Sequence, residues 1–407
     1  MPNRVVVTGM GVLSPLGNSV NEFFANLVAG QTGIRHHPEK ILPRTVGVVD
    51  FAPEQHFSKI QLLGLDRVSQ FAIVAAGQAV NQAGLKADAP LGDDVGVFFG
   101  TGAGGAESTE HAYAKYFNAG GEKKKLLTIP AAMTHAPASQ VAIRFGVRGE
   151  CQTYSTACSS SSVAIGEAYR RIRDGYLYCA LAGGAECVLT PAILDNWMVM
   201  QVLCNDKSDV GGTGCRPFSA DRTGFAIGEG AGMLILESLD AAQARGATIF
   251  AEIVGYGVSN DAMHITKPNA AGQALAMQRA LTDARIDARQ IDHINAHGTA
   301  TLAGDAVEMQ SIKAVFGKHA YAIPVSATKS AHGHLMGATG VVELIATIQA
   351  LQQQTVPPTT HWTTPDPDCD LDYVPGKGRP VQGLQYAMSN SFAFGGNNVA
   401  LVARAWL

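Results

Sequence analysis

One cysteine and two histidines carry the chemistry expected of this 407-residue chain. Cys158 stands in Thr153-Tyr-Ser-Thr-Ala-Cys158-Ser-Ser-Ser-Ser162, a strand-like run that turns through small residues into a helical stretch. From Ser155 to Ser162 none of the neighbours is large enough to cover a thiol, and the start of a helix favours the thiolate, which is the nucleophilic form. Acyl transfer is the chemistry such a sulfur serves. His297 closes the run Ile294-Asn-Ala-His297, and His334 lies in Lys329-Ser-Ala-His-Gly-His334-Leu. Singly, each histidine is more simply a satisfied structural residue; beside a reactive cysteine the two become hydrogen-bonding or acid–base groups. Lys329 is expected either to pair with Glu308 or to keep an imidazole neutral by like-charge repulsion. His332 and His334 form an HxH pair on a loop without further nearby ligands, so no metal is assigned.

Asn390-Ser-Phe-Ala-Phe394-Gly-Gly-Asn-Asn398 brings glycine backbone close to any ligand, and its N–H groups are placed to form an oxyanion hole with that of Cys158. The run leads into a strand, so it lacks the helix N-terminus of a phosphate loop. Gly100-Thr-Gly-Ala-Gly-Gly105 is a weak dinucleotide signal for lack of a helical stripe after it.

The elements that must position these groups read as a duplication. Arg4-Val-Val-Val-Thr-Gly parallels Ala251-Glu-Ile-Val-Gly-Tyr-Gly, and Asp94-Val-Gly-Val-Phe-Phe-Gly parallels Asp292-His-Ile-Asn-Ala-His-Gly. The Cys158 turn corresponds to the segment from Val325 to His334. Each is followed by a helical stripe, Val163, Ile165, Ala168, Tyr169 and Ile172 in one, Val341, Leu344, Ile345 and Ile348 in the other. Two further strands close each half, so the division falls at 1–250 and 251–407. Strands alternating with amphipathic helices imply mixed, largely parallel sheets covered by helices, with function at the seam between halves.

Composition narrows the function classes. Hydrophobic residues make up 46% and charged residues only 16%, against roughly 25% charged in an average soluble protein, which points to surface covered by another subunit. A net charge of -4 gives no field to gather nucleic acid. Seven cysteines without disulfide spacing or CxxC pairs fit a reducing, cytoplasmic setting, and no stretch approaches membrane-spanning length. The first apolar run soon meets Gly9 and Gly11 and reads as a strand, not a signal peptide.

Taken in order, Thr156-Ala-Cys158-Ser, Arg216-Pro-Phe-Ser with Gly224-Phe and Gly228-Glu-Gly-Ala-Gly, Asn295-Ala-His-Gly-Thr, Lys329-Ser with Gly333-His-Leu, and Asn390-Ser-Phe with Phe394-Gly-Gly resemble the elongating β-ketoacyl carrier-protein synthases of the thiolase-like superfamily over nearly the whole chain. The resemblance implies an α/β, duplicated thiolase-like fold of five αβαβα layers with two mixed sheets. It implies a homodimer, or a heterodimer with a related ketosynthase-like subunit, and no cofactor beyond the phosphopantetheine arm of an acyl carrier protein. On that pattern Cys158 takes the acyl group, His297 and His334 hold the malonyl thioester oxygen, and Lys329 completes the catalytic set. Thr299, Thr301 and Thr266 match positions along the pantetheine arm, and Phe394 matches a gate between acyl and malonyl pockets. Ala103 stands where a larger residue often lines the acyl tunnel, which suggests a longer or stiffer chain and a specialised polyene, polyketide or nodulation-type pathway. Other departures are Ala300 and Leu302 in the His297 loop, Ala393 before the gate and His332 where threonine is common. Lys123-Lys-Lys125 and Arg67 are the expected docks for the acidic carrier. A thiolase would use a second cysteine where this chain has Phe392 and Phe394, and a chain-length factor would lack Cys158.

Overall fold

Ten strands, mostly runs of small and β-branched residues, supply the frame: β1 (Val5–Leu13), β2 (Val95–Gly100), β3 (Cys151–Tyr154), β4 (Cys179–Glu186), β5 (Gly230–Ser238), β6 (Ala251–Asn260), β7 (His293–Asn295), β8 (Val325–Ser326), β9 (Tyr386–Phe392) and β10 (Asn397–Ala405). The computed structural model describes residues 2–37, 45–86, 89–120, 126–205 and 211–406. Every residue of β1, β2, β4 and β5 is buried, as expected for strands covered on both faces, which read as continuous apolar runs.

The strand order is β8-β7-β9-β10-β6-β1-β5-β4-β2-β3. It divides into two five-stranded sets with the same internal order, β3-β2-β4-β5-β1 and β8-β7-β9-β10-β6. In each set the first three strands in that order pair in parallel and the rest antiparallel. The sets meet through a short antiparallel pairing of Val5–Val7 with Ala251–Ile253. The duplication read from the sequence is therefore a duplication of topology, and β1/β6, β2/β7, β3/β8, β4/β9 and β5/β10 are its equivalent pairs.

Helices longer than two turns are α1 (Val20–Val28), α2 (Arg67–Gln82), α3 (Ala106–Asn118), α4 (Ala136–Phe145), α5 (Ser160–Arg173), α6 (Pro191–Val199), α7 (Ala270–Ala284), α8 (Leu302–Phe316) and α9 (Thr339–Gln353). Helices α2 and α4 cover the outer face of the first set, and α7, backed by α8, covers that of the second. Helices α5 and α9 touch each other and strands of both sets, so they form the middle layer of a five-layer αβαβα stack. Ile165, Ala168 and Ile172 of α5 share one core with Val341, Leu344, Ile345 and Ile348 of α9 and with Leu234 and Leu401 of the sheets. Burying each such aliphatic side chain is worth about 1.5–3 kcal/mol. From Thr339 to Leu351 every residue of α9 is buried, which is why its stripe reads apolar nearly all round. The Val341 N–H donates to Ser161 Oγ at 3.0 Å, and the Ser162 and Ser391 hydroxyls meet at 2.8 Å. These bonds tie the starts of both central helices, and the second set's β9, at one end of the stack.

The outer helices sit close because matching glycines leave room. A Cβ on Gly11 of β1 would lie 2.0 Å from the carbonyl oxygen of Ala75 in α2, and one on Gly257 of β6 would lie 2.0 Å from that of Ala276 in α7. No real Cβ contact is that short, so a side chain at either position must push helix from sheet. Gly257→Ala is expected to lower stability by about 1–3 kcal/mol, the usual cost of overpacking. A urea unfolding curve coincident with the parent's would contradict this.

Candidate active site

The turn after β3 sets the sulfur. Thr156 N–H donates to Ser160 Oγ at 2.9 Å, and that hydroxyl donates to the Ala157 carbonyl at 2.6 Å. Ala157 is held at φ +51°, a left-handed conformation that costs a non-glycine residue about 1–2 kcal/mol. The strain turns Cys158 inward at the head of the central layer, where it is 8% exposed.

From the second half, His297 follows the end of β7 and His334 follows the short helix Lys329–His332. The Cys158 sulfur and one nitrogen from each imidazole lie within 4.8 Å of one another. The two rings stand edge to face, centroids 5.6 Å apart. Met336 N–H donates to His334 Nδ1 at 3.1 Å, and the Thr339 hydroxyl contacts the same atom at 2.8 Å. A nitrogen that accepts an N–H cannot carry a proton of its own, so the neutral ring has its hydrogen on Nε2, free to donate into the site. The main chain of the His297 turn is fixed by Glu308, which accepts from His297 N–H at 2.7 Å and Gly298 N–H at 2.8 Å.

Lys329 links these pieces. Its ammonium pairs with Glu343 of α9 at 2.8 Å, both side chains without solvent contact, and it also donates to the His297 carbonyl. Of the two roles expected for Lys329, the pairing with Glu308 is corrected: Glu308 is spent on the His297 turn, and the counter-charge is Glu343. Burial first, and then the charge on Lys329, hold both His297 and His334 well below the usual imidazole range. The Cys158 thiol is pushed up to about 11 by burial; Lys329 and the N–H groups of Phe394 and of Cys158 itself pull the other way. Desolvation of the sulfur thus works against the thiolate that the start of a helix favours, and Lys329 with the two N–H groups works for it. The two N–H groups are those expected of the oxyanion hole, and they converge on the sulfur. Cysteine and imidazole are also zinc-ligand types, but the charge on Lys329 opposes a second cation among them.

The cavity over Cys158, His297 and His334 is lined by Thr266, Thr299, Thr301 and Phe394. Thr299 and Thr301 bond to each other through their hydroxyls at 3.0 Å. Their loop is braced by Arg222, buried, which donates to the carbonyls of Ser219, Leu302 and Thr301, and by Asp305, which accepts from Phe218 and Ala300 N–H. This accounts for the Arg216-Pro-Phe-Ser motif as scaffolding. Phe394 heads a tight turn whose left-handed positions are Gly395 and Gly396; Ala393 has extended backbone that any residue adopts. His332 is structural, buried and bonded to the Gly333 carbonyl and the Thr328 hydroxyl.

Two expectations need correction. Ala103 does not line this cavity: it is exposed on the turn after β2, where Glu186 binds the N–H groups of Gly102 and Ala103. Arg67 is not free to meet a partner, since its guanidinium holds Glu229 through two bonds and packs over Phe71. Lys123-Lys-Lys125 lies outside the described residues.

Sequence reasoning missed Trp197 of α6 and Phe225. Phe225 lies edge-on to His334 at 5.0 Å, and Trp197 links it to Phe394, forming an aromatic wall from the second imidazole to the gate position. It also missed Glu343, although a glutamate amid the apolar stripe Val341-Val-Glu-Leu-Ile is itself a sign of a buried counter-ion.

Fold and site together define a cysteine-dependent enzyme with a thiolase-like architecture and paired neutral imidazoles. Two family models match in succession: β-ketoacyl synthase, N-terminal domain, over residues 2–242, and β-ketoacyl synthase, C-terminal domain, over 250–363. The chain is 41% identical to 3-oxoacyl-[acyl-carrier-protein] synthase 2 of Staphylococcus aureus (strain COL), with 98% of this chain and 97% of that protein covered. Among solved structures it is similar to the ishigamide ketosynthase/chain length factor (TM-score 0.93, 34% identity) and to the type II PKS ketosynthase solved with its acyl-carrier protein, AntDE:AntF (0.91, 32%), each covering 100% of both chains. The chain belongs to the β-ketoacyl synthase family, and it is an acyltransferase-type condensing enzyme.

If burial governs the thiol, alkylation of Cys158 by iodoacetamide, followed by peptide mass spectrometry, accelerates about tenfold per pH unit from pH 7 to pH 10. A plateau reached below pH 8 would mean a preformed thiolate.

Proposed function

We propose that this chain elongates acyl chains on a carrier protein by decarboxylative Claisen condensation. The Cys158 sulfur attacks the incoming acyl thioester; the carbonyl oxygen takes the negative charge beside the N–H groups of Phe394 and Cys158, and collapse expels the carrier's thiolate, which leaves with the sulfur's proton. Malonyl-carrier then enters. Its carboxylate leaves as carbon dioxide, and the electron pair moves into an enolate whose oxygen accepts hydrogen bonds from His297 and from Nε2–H of His334. The enolate carbon attacks the Cys158 thioester, the same two N–H groups hold the oxyanion, and Cys158 departs to leave a 3-oxoacyl thioester on the carrier. Neutral imidazoles suit this path: they donate to the enolate oxygen without delivering the proton that would quench the carbon.

The observation that carries the reading is the convergence of one thiol, two buried imidazoles and two main-chain N–H groups on a single point. Thr266, Thr299 and Thr301 are assigned to the arm, Phe394 to the gate, and the catalytic division of labour to the halves 1–250 and 251–407. No cofactor or metal is needed for any step. A thiolase reading would require a second cysteine in the cavity; the second half's Cys369 is buried in a separate core with Ile323 and Tyr373.

A second subunit, identical or related, is part of the proposal. Tyr113, Tyr116 and Phe117 of α3 and Ile129 border an apolar groove and are exposed in the single chain, Phe117 at 75%. Ala103 lies on the turn that packs against this region. The relatives' names associate such proteins with an acyl carrier protein and with a chain length factor. No helix of the described residues is long and apolar enough to cross a membrane, which fits a carrier-borne substrate.

Cys158→Ala is expected to abolish both the acyl adduct seen by intact mass and the release of 3-oxoacyl-carrier. Cys158→Gln is expected to lose condensation yet still release carbon dioxide from malonyl-carrier, because that step belongs to the imidazoles. Condensation by Cys158→Ala at the parent rate would show that Cys158 is not the nucleophile and would overturn the proposed mechanism.

A further inference from the structure

The cavity that begins at buried Cys158 ends at an exposed cation. Lys267 lines it on the segment that follows β6, together with Ile265, Thr266 and Pro268. Among the described residues Lys267 has no ion-pair partner. The cavity's two carboxylates are already engaged, Asp261 by the Asn398 amide at 2.7 Å and the Asn269 N–H at 3.1 Å, and Glu308 by the His297 turn.

The segment is shaped, although exposed. His264 Nδ1 accepts the N–H groups of Thr266 and Lys267 at 3.1 and 3.3 Å, curling the chain around the imidazole. The Ile265 carbonyl accepts the Gly395 N–H at 2.7 Å, in the turn whose Phe394 N–H faces the Cys158 sulfur. Lys267 is thereby fixed relative to the reacting centre through one hydrogen bond and a short stretch of main chain.

We infer that Lys267 is a specificity-determining residue for an anionic group on the substrate, the phosphodiester from which the pantetheine arm hangs. Resting on the function proposed above, the inference adds a recognition step to it: the thioester end is placed by Cys158 and the threonines, and the phosphate end by this lysine at the mouth. An ammonium is the right partner for one phosphate met at a solvent-exposed rim, where a compact charge on a flexible stem can follow the arm. The gain is modest because water and salt screen it, about fivefold in kcat/KM, and it falls as ionic strength rises.

The test compares two soluble acyl donors, an acyl pantetheine and the matching acyl 4′-phosphopantetheine, which differ only in the phosphate. The parent enzyme is expected to prefer the phosphorylated donor about fivefold in acylation of Cys158. Lys267→Ala should bring the ratio to about one, Lys267→Glu should take it below one, and Lys267→Arg should restore it. A ratio in Lys267→Ala equal to the parent's, with turnover intact, would overturn the lysine's role and leave the condensing function standing. Failure of the parent to acylate Cys158 from either donor or from carrier-bound acyl groups would overturn the proposed function, and this inference with it.

Discussion

A single ammonium without solvent contact organises this active site. Lys329 answers Glu343 from the central helix, holds the carbonyl of His297 and sets the electrostatic background of both imidazoles. Burying such a pair gains little stability, because desolvation of two charges offsets their attraction; removing one partner alone typically costs about 3–5 kcal/mol. Its value lies in the field. Burial alone favours neutral histidines, and an adjacent fixed positive charge deepens that preference, so the site keeps two hydrogen-bond donors that do not act as acids. The same charge opposes the desolvation that pushes the Cys158 thiol up, without cancelling it. One residue thus restrains two bases and assists one nucleophile.

The duplicated architecture explains why these groups can meet. Each half ends its third strand in a turn that starts a central helix, and the two central helices lie side by side between the sheets. The first half uses that turn for Cys158, the second for Lys329 and His334, and the end of β7 adds His297. Glu186 closes the join, since its carboxylate binds main-chain N–H groups of Gly102 and Ala103 on one half and of Gly337 on the other. Three of the non-glycine residues with left-handed backbone, Ala157, Ala300 and Met336, lie at or beside the same place. A fold with its core in the middle layer can hold such conformations, because the flanking helices are buried and bonded on every side.

Much of this was legible in the residues themselves. Short apolar runs ending in glycine marked the paired strands, and the stripes after Cys158 and His334 marked the central helices, because period and composition are local properties. The reactive set was legible because small residues beside a cysteine and glycines beside histidines are poor choices for anything but an accessible turn. Partnerships across the chain were not. That Lys329 finds Glu343 and not Glu308 depends on which face of α9 meets the lysine's helix, and Arg67 was taken for a surface cation because Glu229 is far away in sequence. The burial of the thiol was hidden for a related reason: its nearest neighbours in sequence are small, but the segments that pack on its turn, Met336–Ala338, α9, β9 and β10, are distant in sequence. Trp197 lies in a segment whose apolar residues gave no sign of facing a cavity.

The claim on which the rest turns is that His297 and His334 stay uncharged while the enzyme works. Nitrogen-15 NMR of protein labelled at the histidine rings tests it directly. The account predicts that neither ring takes up a proton between about pH 5 and pH 8, and that His334 shows its hydrogen on Nε2 throughout. Protonation of either ring near its ordinary value of about 6.5 would contradict it.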